Sequence, residues 1–204
     1  MTRQSHWNRV YSTRSAEELS WFQEHPAVSI ELIELASLGP SAAVIDVGGG
    51  DSLLVDWLLE RGYEDLTVLD VSLAALERAR RRLGNKGTSV DWVECDVTRW
   101  QPERVHDLWH DRAVFHFLTD AADRQRYIEV MERALRPGGR AIVATFSLEG
   151  PPKCSGLDVQ RYSVETLAEE LGGSFRLEGS REQLHQTPAG KSQAFIFTLF
   201  RKAV

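Results

Sequence analysis

Cysteine is scarce: the 204 residues contain two, Cys95 and Cys154, with no CxxC pair and no cluster of histidines beside either. That argues against a disulfide framework and against a zinc site, so both thiols are expected to be reduced and no metal centre is expected. Long apolar runs are missing too, since none approaches the ~20 residues that a bilayer span needs, and no membrane partner is expected. The opening MTRQSHWNRVYSTRSAEEL lacks the apolar centre of a secretory signal, which leads us to expect a cytoplasmic location. Positive charge is in deficit. Lysine and arginine number 24 against 30 aspartates and glutamates, a net −6, which gives no overall attraction to phosphate backbones, so nucleic acid is not an expected partner. The arginines of RARRRLG, Arg78 and Arg80 to Arg82, read as a solvated helix end favoured by the macrodipole. Internal repeats and low-complexity segments are absent as well.

What is present describes one globular domain, 42% hydrophobic and 26% charged. AVSIELIELASL (27–38) has helical spacing and is stopped by Gly39-Pro40; AAVIDV (42–47) is apolar without alternation, as a strand covered on both faces should be. The alternation then continues: helix 52–62, strand 66–72, helix 73–84, strand 90–97, strand 105–114, helix and turn 122–139, strand 140–146. After the loop SLEGPPKCSGLD and the short helix VETLAEELGG, two strands flank the turn Thr187-Pro188-Ala189-Gly190. The expected fold is α/β: a doubly wound seven-strand sheet, mostly parallel with a C-terminal antiparallel strand pair, and helices on both faces.

In such a sheet a ligand sits at the carboxyl ends of the strands, on the loop after the first strand. That loop reads AVIDVGGGDSLL. Gly48, Gly49 and Gly50 let a ligand approach bare backbone. A dinucleotide fingerprint would need a third glycine where Leu53 stands, and a P-loop would need Lys before Ser or Thr where the chain has Asp51-Ser52-Leu53. Flanked by Asp46 and Asp51, the loop is hostile to pyrophosphate and suited to a ligand carrying positive charge.

VIDVGGGDS, VLDVS, VECDVT and LRPGGRAIVATF, in that order, resemble the motifs of the class I, seven-strand S-adenosylmethionine-dependent methyltransferases, and the resemblance runs from about Ser29 to the C-terminus. It implies S-adenosyl-L-methionine as cofactor. Asp46 and the loop Gly48, Gly49 and Gly50 would place its methionine part. Asp70, with Val71, would accept both ribose hydroxyls, Asp96 would meet the adenine amino group, and Val97 would border the ring. Asp111, Arg112 and Ala113 fall where the family's chain approaches the methionine end, and Arg112 would bind the cofactor there. The implied reaction is in-line methyl transfer, with a small-molecule thiol, hydroxyl or amine as the first expectation for the acceptor. Protein lysine is the alternative enzyme reading, and a non-catalytic cofactor-binding regulatory or interaction protein the alternative of another class. A nicotinamide oxidoreductase is disfavoured by Leu53.

Methyl transfer needs a nucleophile held in line and water kept out more than it needs acid–base machinery. Two catalytic candidates stand in DLWHDRAVFHFLTD. His116 is either a neutral imidazole that accepts the acceptor's proton or a packed helix-cap residue; Asp111 either orients the substrate or pairs with Arg112. The chain lacks the Asn/Asp-Pro-Pro-aromatic pattern of nucleobase and amide methylases, which sets DNA methylation aside. Trp21, Tyr162 and His185 are the substrate-side candidates, and Cys154 reads as an inert loop residue. Residues 1–28 carry Trp7, Tyr11, Trp21 and Phe22, too aromatic for a disordered tail. They form either a lid over the core of residues 29–204 or a segment docked on its helices. Their W-x-x-x-Y and Trp-aromatic pair are similar to the opening of some protein-lysine methyltransferases.

Overall fold

A computed structural model describes residues 2–204. The strands β1 (Val44–Val47) and β2 (Leu66–Asp70) are buried along their whole length. Beside them run β3 (Val90–Glu94), β4 (His106–Arg112) and β5 (Leu135–Phe146), all parallel. A small ribbon, β6 (Lys153–Cys154) and β7 (Leu157–Asp158), stands apart from the sheet. The hairpin of β8 (Phe175–Gln186) and β9 (Ser192–Lys202) completes it in the order β3-β2-β1-β4-β5-β9-β8. β9 is antiparallel to both neighbours, so the edge strand β8 points the same way as the first five. The turn at Thr187–Gly190 closes as the sequence suggests, with the Gly190 N–H donating to the Thr187 carbonyl (2.8 Å).

Period-two alternation along the strands builds two cores. Val44, Leu108, Ile142 and Ala144 face α2 (Ala27–Leu35), α3 (Leu54–Glu60) and α4 (Leu73–Leu83). Ile45, Trp109, Ala141 and Val143 face α5 (Ala121–Ala134) and α6 (Val164–Leu171). Helices therefore cover both faces. α4 shows how local chemistry fixes its ends: Ser72 caps it by accepting from the Ala75 N–H (3.3 Å), three arginines occupy its last turn, and Gly84 ends it at φ 55°.

Several boundaries differ from the sequence reading. The helix from Ala27 ends at Leu35, because Ser37 turns left-handed at φ 53°. β2 stops at Asp70 and β3 at Glu94, leaving Val71 and Cys95–Asp96 as loop. β5 begins at Leu135, five residues early, and takes the RPGG turn into a register shift opposite β4. The N-terminal stretch holds an unexpected helix, α1 (Arg3–Thr13), whose Thr2 and Ser5 hydroxyls each accept from the other's backbone N–H at 3.1 Å. β1 and β4 are neighbours from which the chain winds outward in opposite directions, so a cleft opens at their carboxyl ends. Among the described residues no helix is long and apolar enough to cross a membrane, and no group of three or more His, Cys, Asp or Glu is placed to hold a metal ion.

Candidate functional site

The glycine loop leaves β1 with Gly48 at φ 66° and Gly50 at φ 45°, a region that disfavours side chains. Its bareness also serves two carboxylates. A Cβ at Gly49 would stand 2.5 Å from Asp46 Oδ2, and one at Gly50 would stand 2.8 Å from Asp70 Oδ2. Asp46 is buried, and its Oδ1 accepts from His110 Nδ1 (2.7 Å), whose Nε2 meets the Ser29 hydroxyl at 2.8 Å. Asp46 Oδ2 has no partner among the described residues. Asp51 turns away from the loop's other flank to ion-pair with Arg78 and Arg82.

Asp70 is buried and accepts from the Ser72 N–H (2.7 Å). Burial pushes its carboxyl up to about 7, Asp46 adding to the rise while the N–H groups of Ser72 and Val71 oppose it. Asp96 sits at the neighbouring strand end. Burial works against its charge as well, yet the Thr98 N–H (3.0 Å) and hydroxyl (2.8 Å), with Arg3 Nη1 (3.3 Å), hold it below the ordinary carboxylate range.

Both acids border a cleft of about 850 Å³, open solvent at its mouth included, that runs past Gly48 to Phe146, Gln193 and Phe195 on β5 and β9. Trp7, Tyr11 and Trp21 of the N-terminal segment line it from above. Trp7 packs edge-on against Trp21 (5.6 Å) and Phe117 (5.0 Å). Polar ties hold this segment, among them Ser72 Oγ to Asn8 Oδ1 (2.8 Å), Arg78 Nη1 to the Tyr11 carbonyl (3.0 Å), His185 Nε2 to the Ser20 carbonyl (2.8 Å) and Arg112 Nη1 to the Trp21 carbonyl (2.9 Å).

The structure brings Gly48, Asp70, Val71, Asp96, Val97, Arg112, His116 and Trp21 to one cleft, with Asp46, Gly49 and Gly50 directly behind its floor. Three candidates lie elsewhere. Asp111 points to the opposite face of the sheet, fully buried, where it accepts from the Val114 N–H (2.7 Å), the Phe115 N–H (3.0 Å) and the Tyr127 hydroxyl (2.5 Å). Burial raises it to about 6 against those three bonds. It neither orients a substrate in the cleft nor pairs with Arg112; it fixes the turn after β4. Tyr162 packs against Phe115 (5.6 Å) in the α5–α6 core, outside the cleft. His185 is spent on the Ser20 carbonyl and stands behind Phe195 (6.3 Å).

His116 lines the cleft, but not as a base. The Phe146 N–H donates to its Nδ1 (3.2 Å), which leaves the proton of the neutral ring on Nε2, and Nε2 has no partner among the described residues. Burial, with Arg112 adding, lowers the imidazole to about 3. It is a neutral donor. Arg112 sets its Cζ 5.0 Å from the Phe195 ring centroid, and its Nε and Nη2 also lack partners. Burial lowers this guanidinium to about 10, although Cys154 and Asp46 favour its charge. Cys154 lines the same end, its thiol pushed up to about 11 by burial. Sequence reasoning missed His110 and Ser29, and one signal would have found the first: in a strand of period two, His110 shares a face with Leu108 and, in parallel register, falls opposite Asp46.

A family model described as a methyltransferase domain matches residues 44–139. A trans-aconitate 2-methyltransferase of Rhizobium etli is 33% identical over 194 residues, covering 93% of this chain and 68% of that protein. Nodulation protein S of Rhizobium tropici is 31% identical over 121 residues, 59% of this chain; the match takes in only half of that protein's length. Among solved structures, the N-methyltransferase NodS from Bradyrhizobium japonicum with S-adenosyl-L-homocysteine superposes with a TM-score of 0.70 at 17% identity, covering 96% of this chain and 97% of the other, a likeness of fold. Motif order, sheet topology and a relative this similar over most of both chains agree: the chain belongs to the class I S-adenosylmethionine-dependent methyltransferases.

Proposed function

We propose that this methyltransferase acts on a small-molecule thiol, hydroxyl or amine. The observation that carries the reading is the cleft itself, with two carboxylates at adjacent strand ends on one side, aromatic walls on the other, and an aromatic segment across the top. Such a pocket encloses a compact acceptor and offers little to a folded macromolecule. That the Rhizobium relative is a trans-aconitate 2-methyltransferase supports a small acceptor.

The residues fit the cofactor: the unpartnered Asp46 Oδ2 and the side-chain-free loop suit a cationic ligand that carries an amine. Asp46 and Gly48 to Gly50 take its methionine part, Asp70 and Val71 its ribose, Asp96 and Val97 its adenine. When bound, the sulfonium supplies an already activated methyl group. The chain's own part is to align the acceptor and to exclude water with Trp7, Tyr11 and Trp21. His116 is a donor, so the acceptor must present a free electron pair without its help.

Titration of S-adenosyl-L-homocysteine and of NAD into the wild type and Asp70→Ala tests the site. The reading expects binding of the first ligand alone, weakened in the variant by about 1–3 kcal/mol through loss of a charge-assisted hydrogen bond. Binding indifferent to Asp70 would overturn the assignment. Labelled cofactor in cell extract then separates acceptors: soluble label supports a metabolite, labelled protein bands a lysine.

A further inference from the structure

The cleft is chemically lopsided. Asp70 and Asp96 occupy the end at β2 and β3; the end at β5 and β9 holds Arg112 and His116. At that second end the unpartnered side-chain atoms are three donors, Arg112 Nε, Arg112 Nη2 and His116 Nε2, against one acceptor, Gln193 Oε1, all buried and all without a hydrogen-bond partner among the described residues. Both side chains gather at Phe195, Arg112 with its Cζ 5.0 Å from the ring centroid and His116 stacked at 6.5 Å. Orphaned buried donors are costly, and a cluster of them beside a cleft calls for an acceptor from outside.

We infer that Arg112 and His116 form a subsite for a carboxylate carried by the methyl acceptor, an assignment that rests on the small-molecule reading of this cleft. A guanidinium fork meets a planar two-oxygen group in parallel hydrogen bonds. One cation and one neutral N–H match a single negative charge, where a phosphate dianion would call for more cations. Asp46, the carboxylate that acts on Arg112, makes no hydrogen bond to it: its Oδ1 is taken by His110, and its Oδ2 is among the unpartnered atoms. The fixed Trp21 carbonyl takes Nη1 and leaves the two free nitrogens of the fork for the ligand. The subsite makes a carboxylate handle the specificity element: an acceptor bound by it presents the rest of its body toward the middle of the cleft, beside the methionine end of the cofactor site.

The test is calorimetry with saturating S-adenosyl-L-homocysteine, using fumarate, trans-aconitate, benzoate and phenylacetate, each against its neutral amide. In the wild type at least one acid is expected to bind tighter than its amide by roughly tenfold or more, the strength of a charged hydrogen bond. Arg112→Gln should remove that preference, and Arg112→Lys, which keeps the cation and the fold, should retain part of it. A wild type without preference for any acid overturns the proposal. A second arm compares S-adenosyl-L-homocysteine with its decarboxylated analogue; if Arg112→Gln abolishes that preference, the guanidinium serves the cofactor's carboxylate and the proposal falls. Failure of S-adenosyl-L-homocysteine to bind the wild type would instead remove the cofactor assignment beneath it.

Discussion

Asp70 burdens the ligand-free protein. Its folded pKa of about 7 stands above the ordinary value of 3.8, so the native state holds a proton that the unfolded chain releases. The penalty is absent below the unfolded pKa and grows as pH rises toward the folded one, to ~4 kcal/mol at most from that shift. Asp70→Asn is therefore expected to raise the melting temperature at pH 8 and leave it unchanged near pH 3.5, while weakening S-adenosyl-L-homocysteine. For the wild type, affinity should rise between pH 6 and pH 8 as the carboxyl ionises and becomes a full acceptor. Asp111 carries a shift of the same sign but a different duty. Asp111→Ala strips the acceptor from two backbone N–H groups and Tyr127 and should cost about 2–5 kcal/mol in urea unfolding. Cofactor affinity of the variant still folded should be unchanged, the outcome that separates a structural from a catalytic carboxylate.

At the scale of elements, β1 and β2 were legible because burial on both faces puts apolar residues at successive positions, as in AVI and VL, with no strict alternation. The helix α1 was not. Its interior contacts, Val10 and Tyr11, are two residues in a polar segment, and they become buried only in a tertiary cluster with Leu19, Trp21 and Ala75 of α4. His110 stayed hidden for a related reason: its role depends on register with β1, which is a property of two strands and not of either sequence. Asp111 was misplaced because adjacent strand residues point to opposite faces, and the count that puts His110 beside Asp46 puts Asp111 beside Tyr127. Tyr162 was likewise claimed by a core that local sequence does not reveal. The roof made by the N-terminal segment rests on Trp7 packing against Trp21 and Phe117. Trp7→Ala should loosen it and lower affinity for S-adenosyl-L-homocysteine by about tenfold (~1.4 kcal/mol), read by calorimetry.

For the whole molecule, ligand and fold share one free energy. S-adenosyl-L-homocysteine at a hundred times its Kd should add ~2.7 kcal/mol to stability. In a chain of this size that is a rise of about 5–10 °C in Tm, and NAD at the same concentration should give none.

β9 lies between β5 and β8 and supplies Gln193 and Phe195 to the cleft. On the ribosome it is synthesised after every other strand of the sheet. Until it arrives, β5 presents an unpaired apolar edge and β8 has no neighbour to join. The strand that carries Gln193 and Phe195 into the cleft is thus the last strand of the sheet to be made, although it stands inside the sheet and not at its edge.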